Sequence, residues 1–134
     1  MKRYIRSSSS SVDLSEEIRI GKKCIDALRK LFPDIPDRVA YKRGRAWSDC
    51  WYIDFYLQIP VESMARQYQK EAGTRDPKIY WDFIHDFEAK CKEVTDLPEF
   101  NNDVVRCSVS YSDVNSHRSN GAVLSVYALS KPSR

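Results

Sequence analysis

Few residues in this chain have chemistry to offer, and they are scattered. There are two histidines, His85 and His117, and four cysteines, Cys24, Cys50, Cys91 and Cys107. No histidine has HExxH spacing, and no two cysteines stand at CxxC spacing. A cysteine–histidine nucleophile pair would therefore have to be assembled by the fold. Asp54 and Asp82 would have to be brought together in the same way to form a carboxylate pair, and nothing selects them from 19 acidic residues. The four glycines are single, so no glycine-rich loop exists to cradle a phosphate. Cys91 falls on a helical apolar stripe and Cys107 on an alternating strand, which makes them small, reduced core residues. The sequence assigns no catalytic residue, no metal ligand and no cofactor. An enzyme of unknown type stays as a third alternative, with the polar loop 112–121 as the place for its site.

The densest stretch is YKRGRAWSDCWYIDFY, residues 41–56, with six aromatic and three basic side chains. Alternation sends Trp51, Ile53 and Phe55 to a buried face, with Tyr41 joining them from the neighbouring strand. Lys42, Arg43, Arg45, Trp47, Tyr52 and Tyr56 then form an outer surface, which Arg106 and Tyr127 extend. Arg43-Gly44-Arg45 is placed at the hairpin turn, its glycine taking a positive φ, with Trp47 beside it. Arginine with tryptophan and tyrosine is the composition of protein-interface hot spots. Exposed rings with guanidinium groups also suit stacked bases and phosphates. Against the second use, Asp54 lies between the two tyrosines and would repel phosphate, and no RNP1 pattern is present. The expectation is a small non-enzymatic binding or regulatory protein, gripping a protein or nucleoprotein partner through those six residues. A single-stranded nucleic-acid binder using the same residues is the alternative.

The elements that must position this surface follow from periodicity. Leu14, Ile18, Gly21, Ile25, Leu28 and Phe32 recur at helical intervals, predicting a helix over 14–32 that Pro33 ends. Asp13, with Glu16 three residues on, supplies a capping-box-like start. Strands are expected at 38–43 and 50–59. Pro60 opens a helix at 61–72, and Gly73 ends it. Asp76-Pro77 starts a third helix, with Tyr80, Phe83, Ile84, Phe87, Cys91 and Val94 on its stripe, closed by Leu97-Pro98. Residues 104–111 and 122–129 alternate as two more strands. The fold class is α+β: one antiparallel four- to five-stranded sheet with two or three helices on one face, in the order (β)-α-β-β-α-α-β-β. A true N-terminal strand would give a ferredoxin-like split βαβ pattern with one added strand. Ile79 and Trp81 widen the apolar girdle of the third helix beyond what one sheet face covers, which suggests a homodimer through that region.

The 134 residues fit a single domain, and residues 1–12, with five consecutive serines, form a flexible or edge-strand arm. Charged residues make up 31% and no apolar run reaches the length of a bilayer span, so no membrane partner is expected. The start MKRYIRSSSSS has no apolar stretch behind its charges, unlike a signal peptide, and a cytoplasmic location is the expectation. Net charge is +3 but polarised. Residues 1–53 hold 12 basic and 7 acidic side chains, whereas 54–103 hold 6 and 11. Such a chain presents a positive and a negative side. The opening MKRYIRSS resembles the start of various short proteins carried by phages and integrative elements. That resemblance implies a small accessory protein of a mobile element, such as an inhibitor of a host nuclease or a regulator, and carries over no site residue.

Overall fold

The computed structural model describes residues 12–46, 50–112 and 121–132. Its elements are α1 (Ser15–Arg29), β1 (Tyr41–Ala46), β2 (Cys50–Tyr56), α2 (Val61–Glu71), α3 (Pro77–Thr95), β3 (Val105–Ser112) and β4 (Gly121–Pro132). Four strands form one antiparallel sheet in the order β1-β2-β4-β3, with the helices packed on one face. This is the expected α+β class. The split βαβ pattern is not realised among the described residues. The two hairpins are joined directly by antiparallel pairing of β2 with β4, which leaves no place between them for a parallel strand. The N-terminal arm lies outside the described residues. No described helix is long and apolar enough to cross a membrane.

The core is where the sheet's alternation meets the helical stripes. Trp51, Ile53 and Phe55 of β2 lie beside Val126 and Leu124 of β4 and Val105 and Cys107 of β3, all buried on the helix side. Onto them α1 lays Leu14, Gly21, Cys24, Ile25 and Leu28, while α3 lays Ile84, Phe87 and Cys91. At ~0.8 kcal/mol per buried CH₂, these aliphatic and aromatic groups supply most of the driving force. The close approach of α1 depends on Gly21. A Cβ there would stand 2.3 Å from a ring carbon of Phe55, so the helix lies flat on that ring.

Boundaries moved where local chemistry outweighed pattern. The capping box does not form: Asp13 accepts hydrogen bonds from the amide and hydroxyl of Ser15, while Glu16 pairs with Arg19 instead. The first strand runs 41–46 rather than 38–43, because Gly44 is a strand residue and not a turn residue. It pairs with Tyr52, and a Cβ at 44 would sit 2.5 Å from that tyrosine's ring and hydroxyl. Space for the ring, not a positive φ, is what this glycine provides. The second strand ends at Tyr56, since Gln58 adopts φ 57° and turns the chain towards α2. Gly73, at φ 70°, follows α2 as expected, and Asp76 caps α3 by accepting from the Lys78 amide at 3.0 Å.

Replacing Gly21 by Ala should push α1 off Phe55 and lower stability by about 2 kcal/mol in urea unfolding, the ordinary cost of overpacking a core. Adding Phe55→Leu should recover part of that loss, a coupling that a double-mutant cycle measures. Additive losses would show that Gly21 does not set the helix–sheet spacing.

Candidate binding surface

The sheet register divides the expected surface in two. Lys42, Tyr52 and Tyr56 point to the side away from the helices. Arg43 lies opposite Ile53 and Arg45 opposite Trp51, so both arginines point to the helix side. The sequence pattern puts the Arg43-Gly44-Arg45 run in a turn, where parity has no meaning. Once the run is strand, neighbouring residues must face opposite ways. Trp47 lies outside the described residues, as does His117.

On the outer face, three cross-strand rows can be followed. Gly44, Tyr52, Tyr127 and Arg106 form one row. Lys42, Asp54, Ser125 and Ser108 form the next, and Tyr56, Val123 and Ser110 the third. The Tyr52 and Tyr127 rings lie 5.8 Å apart, and Tyr52 also covers Gly44. Those rings are therefore packed on neighbours, as cross-strand pairs commonly are. Ser125 donates to Asp54 at 2.6 Å. Burial pushes the Asp54 carboxyl above its ordinary range, opposed by the Ser125 hydrogen bond and by Lys42. Tyr52 is raised as well, by burial and then by the charge of Asp54.

The helix side is different. Helices cover β2, β4 and β3, and α1 runs beside β1 without covering it. Tyr41, Arg43 and Arg45 are the successive helix-side residues of β1, and Tyr41 keeps 46% of its surface exposed although its ring meets Phe55 at 5.3 Å. The Arg43 and Arg45 guanidinium groups stand 5.9 and 5.7 Å from the Trp51 ring centroid, within cation–π range. The Trp51 indole N–H is buried and finds no acceptor among the described residues. Arg43 also helps hold the Asp13 carboxyl below its usual range, after the Ser15 hydrogen bonds and the charge of Lys131.

At the other end of β1, an open groove of about 610 Å³ separates α1 from the strand. Ile25, Val39, Tyr41 and Phe55 give it apolar walls, and Lys22, Asp26, Asp37 and Arg38 add charge. Arg29 holds its shape. The guanidinium pairs with Asp26 at 2.7 Å and donates to the carbonyls of Pro36 and Asp37 at 2.6 and 3.1 Å, tying α1 to segment 36–37. Groove, Tyr41, Arg43, Arg45 and Trp51 thus make one continuous strip on the uncovered edge of the sheet.

Glu17 is a functional-group burial that the stripe reading missed. It is 0% exposed on α1 and pairs with Lys131 of β4 at 2.9 Å, while Lys131 also donates to the Asp13 carbonyl. Its second carboxylate oxygen has no partner among the described residues. The spacing Glu17, Gly21, Cys24, Leu28 is itself helical, so periodicity alone places Glu17 on the buried face.

The remaining candidates are not gathered. Asp54 is on the outer sheet face, whereas Asp82 pairs with Lys78 on α3, so the two carboxylates are on opposite sides of the sheet. His85 lies exposed on α3, with its ring 6.3 Å from that of Trp81. Cys24, Cys91 and Cys107 are buried free thiols, and Cys50 is half-buried. The hydrogen bond to Cys107 and then burial drive the Cys24 thiol well above its ordinary range, and burial pushes Cys91 up to about 12. Thiols held protonated in this way are poor nucleophiles. Among the described residues, no three His, Cys, Asp or Glu side chains are placed to hold a metal ion. Trp81 is 48% exposed and Ile79 half-buried. Comparison with family models, characterised proteins and solved structures found no match for this chain.

Asp54 gives a pH prediction. Its folded pKa is raised, so the folded state keeps the proton after the unfolded chain has lost it, and stability falls as pH rises from the ordinary 3.8 through the raised folded value. Across that window the urea midpoint of Asp54→Asn should fall less with pH than that of the parent protein. Parallel pH profiles would show that Asp54 is not perturbed by its position.

Proposed function

We propose that this is a non-enzymatic binding protein whose contact strip is the uncovered helix-side edge of β1, taking an acidic protein partner that anchors an apolar side chain in the adjoining groove. One observation carries the reading: Arg43 and Arg45 lie over Trp51 on the same side, and along the same strand, as an apolar-walled groove ending at Tyr41. Arginines on an indole are pre-ordered, so less side-chain freedom is lost when they meet a carboxylate. An edge strand also offers backbone for strand addition. A groove that takes an apolar anchor favours a protein over a nucleic acid. Tyr52 and Tyr127 support the same preference, because their rings are packed on each other, and Tyr52 on Gly44 as well, rather than standing free for bases. Lys42, Tyr52 and Tyr56 then sit on the far side of the sheet from the contact. An inhibitor or regulator of the type implied by the opening residues would act through such a strip, with its partner masked on binding.

Affinity capture followed by quantitative mass spectrometry tests this with three variants. Arg45→Glu and Tyr41→Glu should each release the partner, the arginine change by about thirtyfold in affinity if it is a hot spot worth about 2 kcal/mol. Tyr52→Ser on the outer face should leave capture intact. Loss with Tyr52→Ser and retention with the other two would overturn the assignment. Fluorescence polarisation with single-stranded RNA and DNA at two salt concentrations should show no saturable binding that Arg45→Glu or Tyr52→Ser removes. Tight binding that weakens steeply with salt and is lost in those variants would instead establish the nucleic-acid alternative, through counterion release.

A further inference from the structure

A second concavity lies away from β1, between α2 and α3, and the sequence pattern did not reveal it. Two adjoining hollows of about 430 and 540 Å³ share Arg66, Gln69 and Arg75. They form one cleft from the last turns of α2, across segment 72–76, to the first turn of α3. Its chemistry is cationic on one side and aromatic on the other. Arg66, Lys70 and Arg75 bring three positive charges, and Tyr80 with Trp81 forms the opposite wall. Glu62 is the carboxylate in the lining, and it is engaged with Arg66 at 3.0 Å.

The cleft is built rather than loose. Arg66 is fixed by Glu62 and by lying 5.3 Å over the Tyr80 ring. Trp81 stands edge-on to Tyr80 with centroids 5.1 Å apart, and its indole is about half open to solvent. Two hydrogen bonds hold the connecting segment, in which Gly73 takes φ 70°: Gln69 donates to the Asp76 carbonyl at 3.0 Å, and the Thr74 hydroxyl accepts from the Asp76 amide at 3.0 Å. The Asp76 carboxylate is spent on capping α3, which leaves anion binding to side chains and not to the helix end. Among the described residues, Lys70 and Arg75 have no carboxylate partner.

We propose that this cleft binds a nucleoside polyphosphate, with the phosphates on Lys70 and Arg75 and the base against Trp81. Free cations beside a fixed arginine suit a multiply charged anion. An exposed indole at the end of a charged cleft suits a planar ring, since aromatic–base stacking tolerates any base. The volume falls in the range of small-molecule sites, on the order of 300–1,000 Å³. The inference is independent of the β1 strip.

Calorimetric titration of the whole chain with ATP at low salt tests it. Saturable binding is expected with Kd below about 1 mM. The chain has three tryptophans, so Trp81→Phe serves to show that the fluorescence quenching by ATP comes from residue 81. Lys70→Glu combined with Arg75→Glu, both on the surface, should weaken binding at least about tenfold, and inorganic triphosphate alone should bind about tenfold more weakly than ATP because it lacks the ring. Absence of saturable binding, an unchanged affinity in the double variant, or equal affinity for triphosphate would each overturn the proposal. So would a dimer in sedimentation that Trp81→Glu dissociates, since the indole would then be an interface between two copies.

Discussion

Everything exposed on this molecule depends on how α1 sits on the sheet. Gly21 lets the helix rest against Phe55, and from there α1 spans β2 and β4 while α3 covers β3. The layer of helices ends before β1. A strand paired to the sheet but left without a roof must expose whatever its inward residues are. Here those residues are Tyr41, Arg43 and Arg45, whereas Phe55, Ile53 and Trp51 stand at the same level on β2. The chain has thus placed polar and amphipathic side chains where cover runs out, and the two guanidinium groups lie over the Trp51 ring.

The charge polarity also becomes spatial through this arrangement. The basic strand β1 is one edge of the sheet, and α3, with Asp82, Asp86, Glu88 and Glu93, packs by the strand at the other edge. The exposed ion pairs of α3, such as Lys78–Asp82 and Lys90–Asp86, are worth little individually. Each pair is close to neutral, so the difference between the two edges comes from the basic side chains of β1.

Much of the fold was legible because two periods were clean. Trp51, Ile53 and Phe55 against Tyr52, Asp54 and Tyr56 specified a two-sided strand, and the stripe of α1 specified its inner face. The candidate surface was legible only in part. Its composition was visible, but sorting it onto two faces required knowing that Gly44 continues a strand. Glycine beside charged residues ordinarily signals a turn, and the signal was overridden by a non-local fact, the Tyr52 ring needing the space of a missing side chain. The buried Glu17 could have been found from spacing, but its charge argued for solvent until Lys131, 114 residues away, supplied a counter-ion. The cleft at Arg66 and Arg75 was not legible, since its walls come from two helices whose crossing no local pattern fixes.

The thiols of Cys24, Cys91 and Cys107 come from α1, α3 and β3, and all are shut inside the core. A modifying reagent can reach each of them only when the packing around its own element opens. Their labelling rates are therefore a built-in clock for internal opening, one hand for each element, while half-buried Cys50 marks the background rate of the folded surface.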